Sequence, residues 1–131
     1  MTDSISILII EGEPNLKREL ASALTEVGFT VADVRDYPEA LLKLDEFNAD
    51  IAIVDEALSN EDGREACYQL HSAFGIPVIV LGEDSSDEVW ERVMEVEADL
   101  YLIKPFSYRE LVARIKAILR RYKEVKGGIS R

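Results

Sequence analysis

The chain holds one cysteine, one histidine and one tryptophan among 131 residues. A lone Cys67 cannot close an internal disulfide, and it is expected as a small core residue. His71 has no second ligand or acid near it in sequence, so it is expected as a solvent-facing helix residue rather than a metal ligand or phosphoryl donor. Long hydrophobic runs are also missing. Stretches such as "PVIVL" (residues 77–81) are far too short to span a bilayer, which excludes a helical membrane anchor within this sequence. The opening "MTDSIS" has no positive region and no apolar core, so no export signal is visible and a reducing cytoplasm is the expected compartment. Positive charge is scarce. Fifteen Lys and Arg against 26 Asp and Glu leave a net charge of −11, which argues against direct nucleic-acid binding by this domain, since phosphate contacts need a basic face.

What remains is a mixture of 47% hydrophobic and 31% charged residues, the composition of one soluble globular domain long enough to bury a core. Short apolar runs recur at 5–10, 29–34, 50–54, 77–81 and 99–103. They are nearly continuous rather than alternating, as strands buried on both faces of a parallel sheet require. Helical stripes separate them: Leu16, Leu20, Leu24 and Val27; Leu41, Leu44 and Phe47; Cys67, Leu70 and Phe74; Val89, Val93 and Val96. The last, and clearest, is Leu111, Val112, Ile115, Ile118, Leu119 and Tyr122. Pro14 and Pro38 suit first helical positions, and Asp36-x-x-Glu39, Ser85-x-x-Glu88 and Ser107-x-x-Glu110 have the form of capping boxes. Five βα units of this kind predict an α/β fold, a doubly wound five-stranded parallel sheet with five helices. The final "KEVKGGISR" (residues 123–131) predicts a basic, Gly-containing tail or the start of a linker to an output domain, with the globular unit ending near 122.

In a doubly wound sheet, ligands bind beyond the carboxyl ends of the strands. There the first strand delivers Glu11-Gly12-Glu13, the third Asp55-Glu56, the fourth Gly82-Glu83-Asp84 and the fifth Lys104. Converging carboxylates raise one another's pKa unless a cation compensates them, and hard oxygen ligands suit Mg2+. These features, in "ILIIEGEPN", "IVDEALSNEDG", "PVIVLGE" and "YLIKPFSYRELVARIKAILRR", resemble the receiver domain of two-component response regulators over residues 4–121. The last segment is similar to the subfamily that carries a winged-helix DNA-binding domain (OmpR/PhoB type).

That resemblance implies strand order 2-1-3-4-5 and a set of roles. Asp55 matches the phosphoacceptor, which takes a phosphoryl group from a histidine kinase or a small phosphodonor. Lys104 matches the lysine that pairs with it, and the Lys104–Pro105 bond one that is usually cis. Tyr101 matches an aromatic switch residue, and Ala57 the residue whose backbone carbonyl helps bind Mg2+. The only chemistry implied is the making and breaking of the Asp55 acylphosphate, not turnover of a separate substrate. A phosphatase of the haloacid-dehalogenase type would need a second acid two residues beyond its aspartate, where this chain has Ala57.

Three positions depart from the family pattern. Gly12 stands where a second acid contacts Mg2+ directly, leaving Glu11 to reach in, so Mg2+ binding through Glu11, Asp55 and the Ala57 carbonyl is expected to be weak or absent. Gly82 replaces the Thr or Ser whose hydroxyl captures the phosphoryl oxygen. Glu83 replaces a small residue, and its carboxylate either obstructs the pocket or serves as a replacement ligand. Together they predict impaired phosphorylation; the alternative is a fully working phosphoswitch at Asp55. Asp55 and Lys104 would in the first case persist as a buried ion pair that is costly to half-remove.

Charge is placed unevenly. Eight acids face one base between Glu83 and Asp99, and nine bases face two acids from Lys104 to Arg131. In the related subfamily the fourth helix, fifth strand and fifth helix form a homodimer face. Here Trp90, Glu95, Asp99, Glu110, Arg114, Lys116 and Arg121 would line it, with exposed ion pairs setting register more than strength. Leu100 stands where an acid is common at that interface.

Overall fold

The computed structural model describes residues 4–56, 61–83 and 98–130, the side chains of 61–66 and 123–130 aside. Five strands form a single parallel sheet: β1 (Ser6–Ile10), β2 (Thr30–Val34), β3 (Ile51–Asp55), β4 (Val78–Gly82) and β5 (Leu100–Ile103), in the order β2-β1-β3-β4-β5. Each lies within about one residue of its predicted run, because strands apolar on both sides have sharp chemical ends. Ile10 stands beside Val54, Asp55 beside Leu81, and Gly82 beside Ile103. This register brings the carboxyl ends of four strands to one edge of the sheet.

Alternate strand residues feed two cores. On one face Leu8, Ile10, Val34, Val54, Val80 and Tyr101 pack under α2 (Tyr37–Leu44) and α3 (Glu61–Ser72). On the other Ile7, Ile9, Ile53, Ile79 and Leu102 meet α1 (Pro14–Val27) and the C-terminal helix, α4 (Tyr108–Ser130). Leu111 and Ile115 of α4 are fully buried, each contributing about 1.5–3 kcal/mol through apolar area removed from water. Cys67 is a core residue, as expected, and burial pushes its thiol up to about 12.

Local signals set the helix ends. Glu13 caps α1, its carboxylate accepting from the Asn15 and Leu16 amides, with Pro14 in the first turn. Gly28 stops the helix at φ 115°, a left-handed conformation that costs glycine little. Asp36 Oδ1 accepts from the Glu39 amide at 2.9 Å, while Glu39 reaches back to the Arg35 amide, one residue before the cap. Pro38 is therefore the second helical residue, after Tyr37, not the first. Ser107 Oγ accepts from the Glu110 amide at 3.0 Å and opens α4.

Several expectations are corrected. Val27, Leu41 and Phe74, placed in buried stripes by their spacing, are exposed. Val27 ends α1 and Phe74 lies two residues past α3, each just before the glycine at which the chain turns towards the next strand, and α2 buries Ala40 in place of Leu41. Four helices occur among the described residues. The fourth apolar pattern, with Trp90, Glu95 and Ser85-x-x-Glu88, lies outside them, as does Ala57. Helical backbone also continues through the Gly127-Gly128 segment expected to begin a linker.

His71 is not a simple surface residue. Its Nε2 lies 3.1 Å from the Tyr122 hydroxyl, which donates to Asp99 Oδ1 at 3.0 Å, while Asp99 Oδ2 accepts from the Val78 amide at 2.8 Å. This chain ties α3, α4 and the start of β5 together at the sheet edge opposite Asp55. Tyr122→Phe removes its middle member and is expected to cost about 1 kcal/mol in urea denaturation, leaving the Asp99–Val78 bond in place. An unchanged midpoint would show that water replaces the hydroxyl.

Candidate functional site

The acidic edge is built from strand ends. Glu11 follows β1 and Asp55 ends β3, and each is only 3% exposed. Lys104, just past β5, donates from Nζ to Asp55 Oδ2 at 2.6 Å, and the Lys104–Pro105 peptide is cis, as the family resemblance implied. Burial lowers the ammonium's pKa, but the hydrogen bond and charge of Asp55, aided by Glu11 and Glu83, more than offset it. The pKa of Lys104 therefore stands above its ordinary value. Glu83 itself is exposed at the rim and acts on Lys104 through its charge.

Glu11 is the perturbed group. Desolvation first, then the neighbouring Asp55 carboxylate, push its pKa up to about 7, against the lowering effect of the Glu13 amide. Glu11 Oε2 accepts from that amide at 3.0 Å, while Oε1 is buried without a partner among the described residues. Two ionised carboxylates cannot hydrogen-bond to each other. A proton on Glu11 joins it to Asp55 and relieves the crowding. Gly12 is exposed and adds no donor; Glu13 is turned away to cap α1. The described donors of the pocket are thus two carboxylates, one of them readily protonated, and no cluster of three metal-ligating side chains occurs among the described residues.

One partnership went unforeseen. Tyr101 is 4% exposed, and its hydroxyl donates to Glu56 Oε2 at 2.6 Å. Sequence spacing identified both residues but gave no hint of contact, because they lie 45 positions apart and meet only across β4. The adjacent acids Asp55 and Glu56 were the available signal: one points at Lys104, the other at Tyr101.

Of the residues expected on a dimer face, Glu110, Arg114, Lys116 and Arg121 are exposed on α4. Asp99 differs. Its carboxylate is engaged with Val78 and Tyr122 rather than with a basic residue of the helix, because the turn into β5 presents it to a backbone amide.

This arrangement matches known proteins closely. A family model described as the response regulator receiver domain matches residues 7–116. The sensory transduction protein RegX3 of Mycobacterium tuberculosis is 40% identical over 116 residues, covering 88% of this chain and 51% of the relative. The transcriptional regulatory protein GltR of Pseudomonas aeruginosa is 40% identical over 129 residues, covering 94% and 53% respectively. The chain thus spans about half the length of these curated relatives. Among solved structures, a two-component response regulator from Clostridium difficile superposes with a TM-score of 0.83 at 28% identity, covering 91% of this chain and 98% of that one. With a buried aspartate and lysine paired at the carboxyl edge of a 2-1-3-4-5 sheet, and a family match across most of its length, the chain belongs to the response regulator receiver domain family.

Proposed function

We propose that this chain is the regulatory and dimerisation module of a cytoplasmic, DNA-binding transcription regulator of the OmpR/PhoB type, with impaired Mg2+-dependent phosphorylation of Asp55. The observation that carries the reading is the Glu11–Gly12 pair. Position 12 offers no carboxylate, and Glu11, only 3% exposed, already commits Oε2 to the Glu13 amide at 3.0 Å. Two such groups are a poor fit to Mg2+, which demands near-ideal octahedral oxygen donors. Gly82 also supplies no hydroxyl to the site. A histidine kinase remains the natural class of phosphoryl source for the family. The relatives' names, a sensory transduction protein and a transcriptional regulatory protein, support an output domain beyond α4. The domain itself is no phosphatase or transferase for other substrates; self-modification of Asp55 is its only covalent chemistry. Among the described residues no helix is long and apolar enough to cross a membrane.

A second reading, a working phosphoswitch, draws on the intact Asp55–Lys104 contact and the unpartnered Glu11 Oε1. Intact-protein mass spectrometry after incubation with phosphoramidate and Mg2+, beside Asp55→Asn and a typical receiver, separates the two. Impairment predicts no phosphoryl adduct on the parent while the typical receiver is modified in the same tube. A parent adduct that disappears in Asp55→Asn would establish the phosphoswitch.

A further inference from the structure

Gly82 ends β4, but its backbone does not need glycine: among the described residues only Gly28 and Gly75 have positive φ. What depends on the missing side chain is the present placing of Tyr101 and Glu56. A Cβ built there would lie 2.6 Å from Tyr101 Cζ, and closer still to the Tyr101 hydroxyl and to Glu56 Oε2. Real Cβ atoms do not tolerate such contacts, and the ring and the carboxylate together fill the place of a side chain. β5 pairs with β4 at Val80–Tyr101 and Gly82–Ile103, so the Tyr101 ring crosses the sheet towards the bare Gly82 backbone. Its hydroxyl there donates to Glu56, an acid-acceptor bond of the stronger, charge-assisted kind.

We infer that Gly82, Tyr101 and Glu56 form a built-in latch that keeps Tyr101 inside the domain whatever the chemical state of Asp55. Three features carry it. The cavity is provided by the sequence, since no side chain at position 82 has to move before the ring can enter. The acceptor is Glu56, not Asp55, so the bond neither consumes nor requires a group on Asp55. The ring is packed as core, in the cluster that holds Val54 and Val80, and leaving it would expose apolar surface as well as break the bond. The latch deepens the proposed function: it rests on the reading of this domain as a regulatory module and assigns how its switch position is set.

Nitration by tetranitromethane with peptide mapping tests the latch. Tyr68, 49% exposed, is the internal standard. Tyr101 of the parent is expected to react at least roughly tenfold more slowly than Tyr68, as for a buried group reached only by local opening. Gly82→Thr is expected to bring Tyr101 to a rate close to that of Tyr68, with the circular dichroism of a folded protein. Should Gly82→Thr fail to fold, Gly82→Ala and Glu56→Ala carry the test, each expected to speed Tyr101 nitration several-fold, while Glu56→Gln, which keeps an acceptor, is expected to leave it slow. A parent Tyr101 that reacts like Tyr68 would overturn the latch, as would a slow Tyr101 in folded Gly82→Ala and Glu56→Ala. Phosphoramidate-treated protein is nitrated in parallel, its phosphoryl occupancy read from intact mass. A phosphorylated fraction with unchanged Tyr101 protection sinks the impaired-site reading but supports the latch; a changed rate in that fraction sinks the latch.

Discussion

Replacing Lys104 by methionine is expected to lower stability by about 3–5 kcal/mol at pH 8, the cost of removing one member of a buried pair. Methionine keeps most of the apolar stem and deletes only the charge. Asp55 then loses a 2.6 Å hydrogen bond and its counter-ion while only 3% exposed, with Glu11 crowding it from β1. The protein can relieve this only by taking up protons, so the loss should shrink as the pH falls towards 5. Lys104 itself stays charged throughout that range, because its folded pKa lies above the ordinary value and its contribution is lost only as the pH rises through it. Adding Asp55→Asn should recover most of the loss, giving a coupling of about 2–3 kcal/mol in a double-mutant cycle by urea denaturation. A single-variant loss below about 1 kcal/mol would show that water takes over from the ammonium, and that the pair is not what holds this edge together.

Glu11→Gln should act in the opposite direction, and with a pH signature. The carboxyl's folded pKa, about 7, lies above its ordinary 4.5, so the folded state binds the proton more tightly than the unfolded chain. Folding is therefore favoured by protonation, and Glu11's contribution to stability falls as the pH rises from about 4.5 through 7. Glutamine fixes the neutral form. Its amide can accept from Glu13 and donate to Asp55, as the protonated acid does. The variant is expected to match the parent near pH 4.5 and to exceed it by about 2–4 kcal/mol at pH 8, at 1.36 kcal/mol per pKa unit. Only the difference between the two stability curves matters, because every other titrating group is common to both. A difference that stays flat across that range would mean Glu11 titrates as an ordinary surface acid does.

The sheet was legible because its strands are buried on both faces, and a run such as "IAIVD" announces itself by continuous apolarity. Asp55 and Lys104 were legible for a related reason. A charged residue that closes a buried strand stands at the edge where this fold puts its chemistry. The phase of short helices was not legible. Eight residues of α2 make barely two turns, and the spacing of Leu41, Leu44 and Phe47 fits as well as the face built on Tyr37, Ala40 and Leu44 that packs on the sheet. Partners far apart in sequence were also hidden. Glu56 with Tyr101, and His71 with Tyr122 and Asp99, become neighbours only through strand order. Gly82 read as a lost hydroxyl, and only packing shows that its emptiness is occupied.

Helix α4 also has a mechanical role. It starts beside Lys104 at the Ser107 cap, and its Tyr122 hydroxyl is pegged to Asp99 at the far side of the sheet. The fifteen residues from Tyr108 through Tyr122 make a rod about 22 Å long at 1.5 Å per residue. Tension applied to the chain beyond Tyr122 is shared between that peg, which leads into the start of β5 and the end of α3, and the buried Ile118, Ile115 and Leu111 that seat α4 on the sheet. The domain thus has a strain relief where the polypeptide leaves it, and a Tyr122→Phe chain held in an optical trap should let the pull reach the acidic edge at lower force.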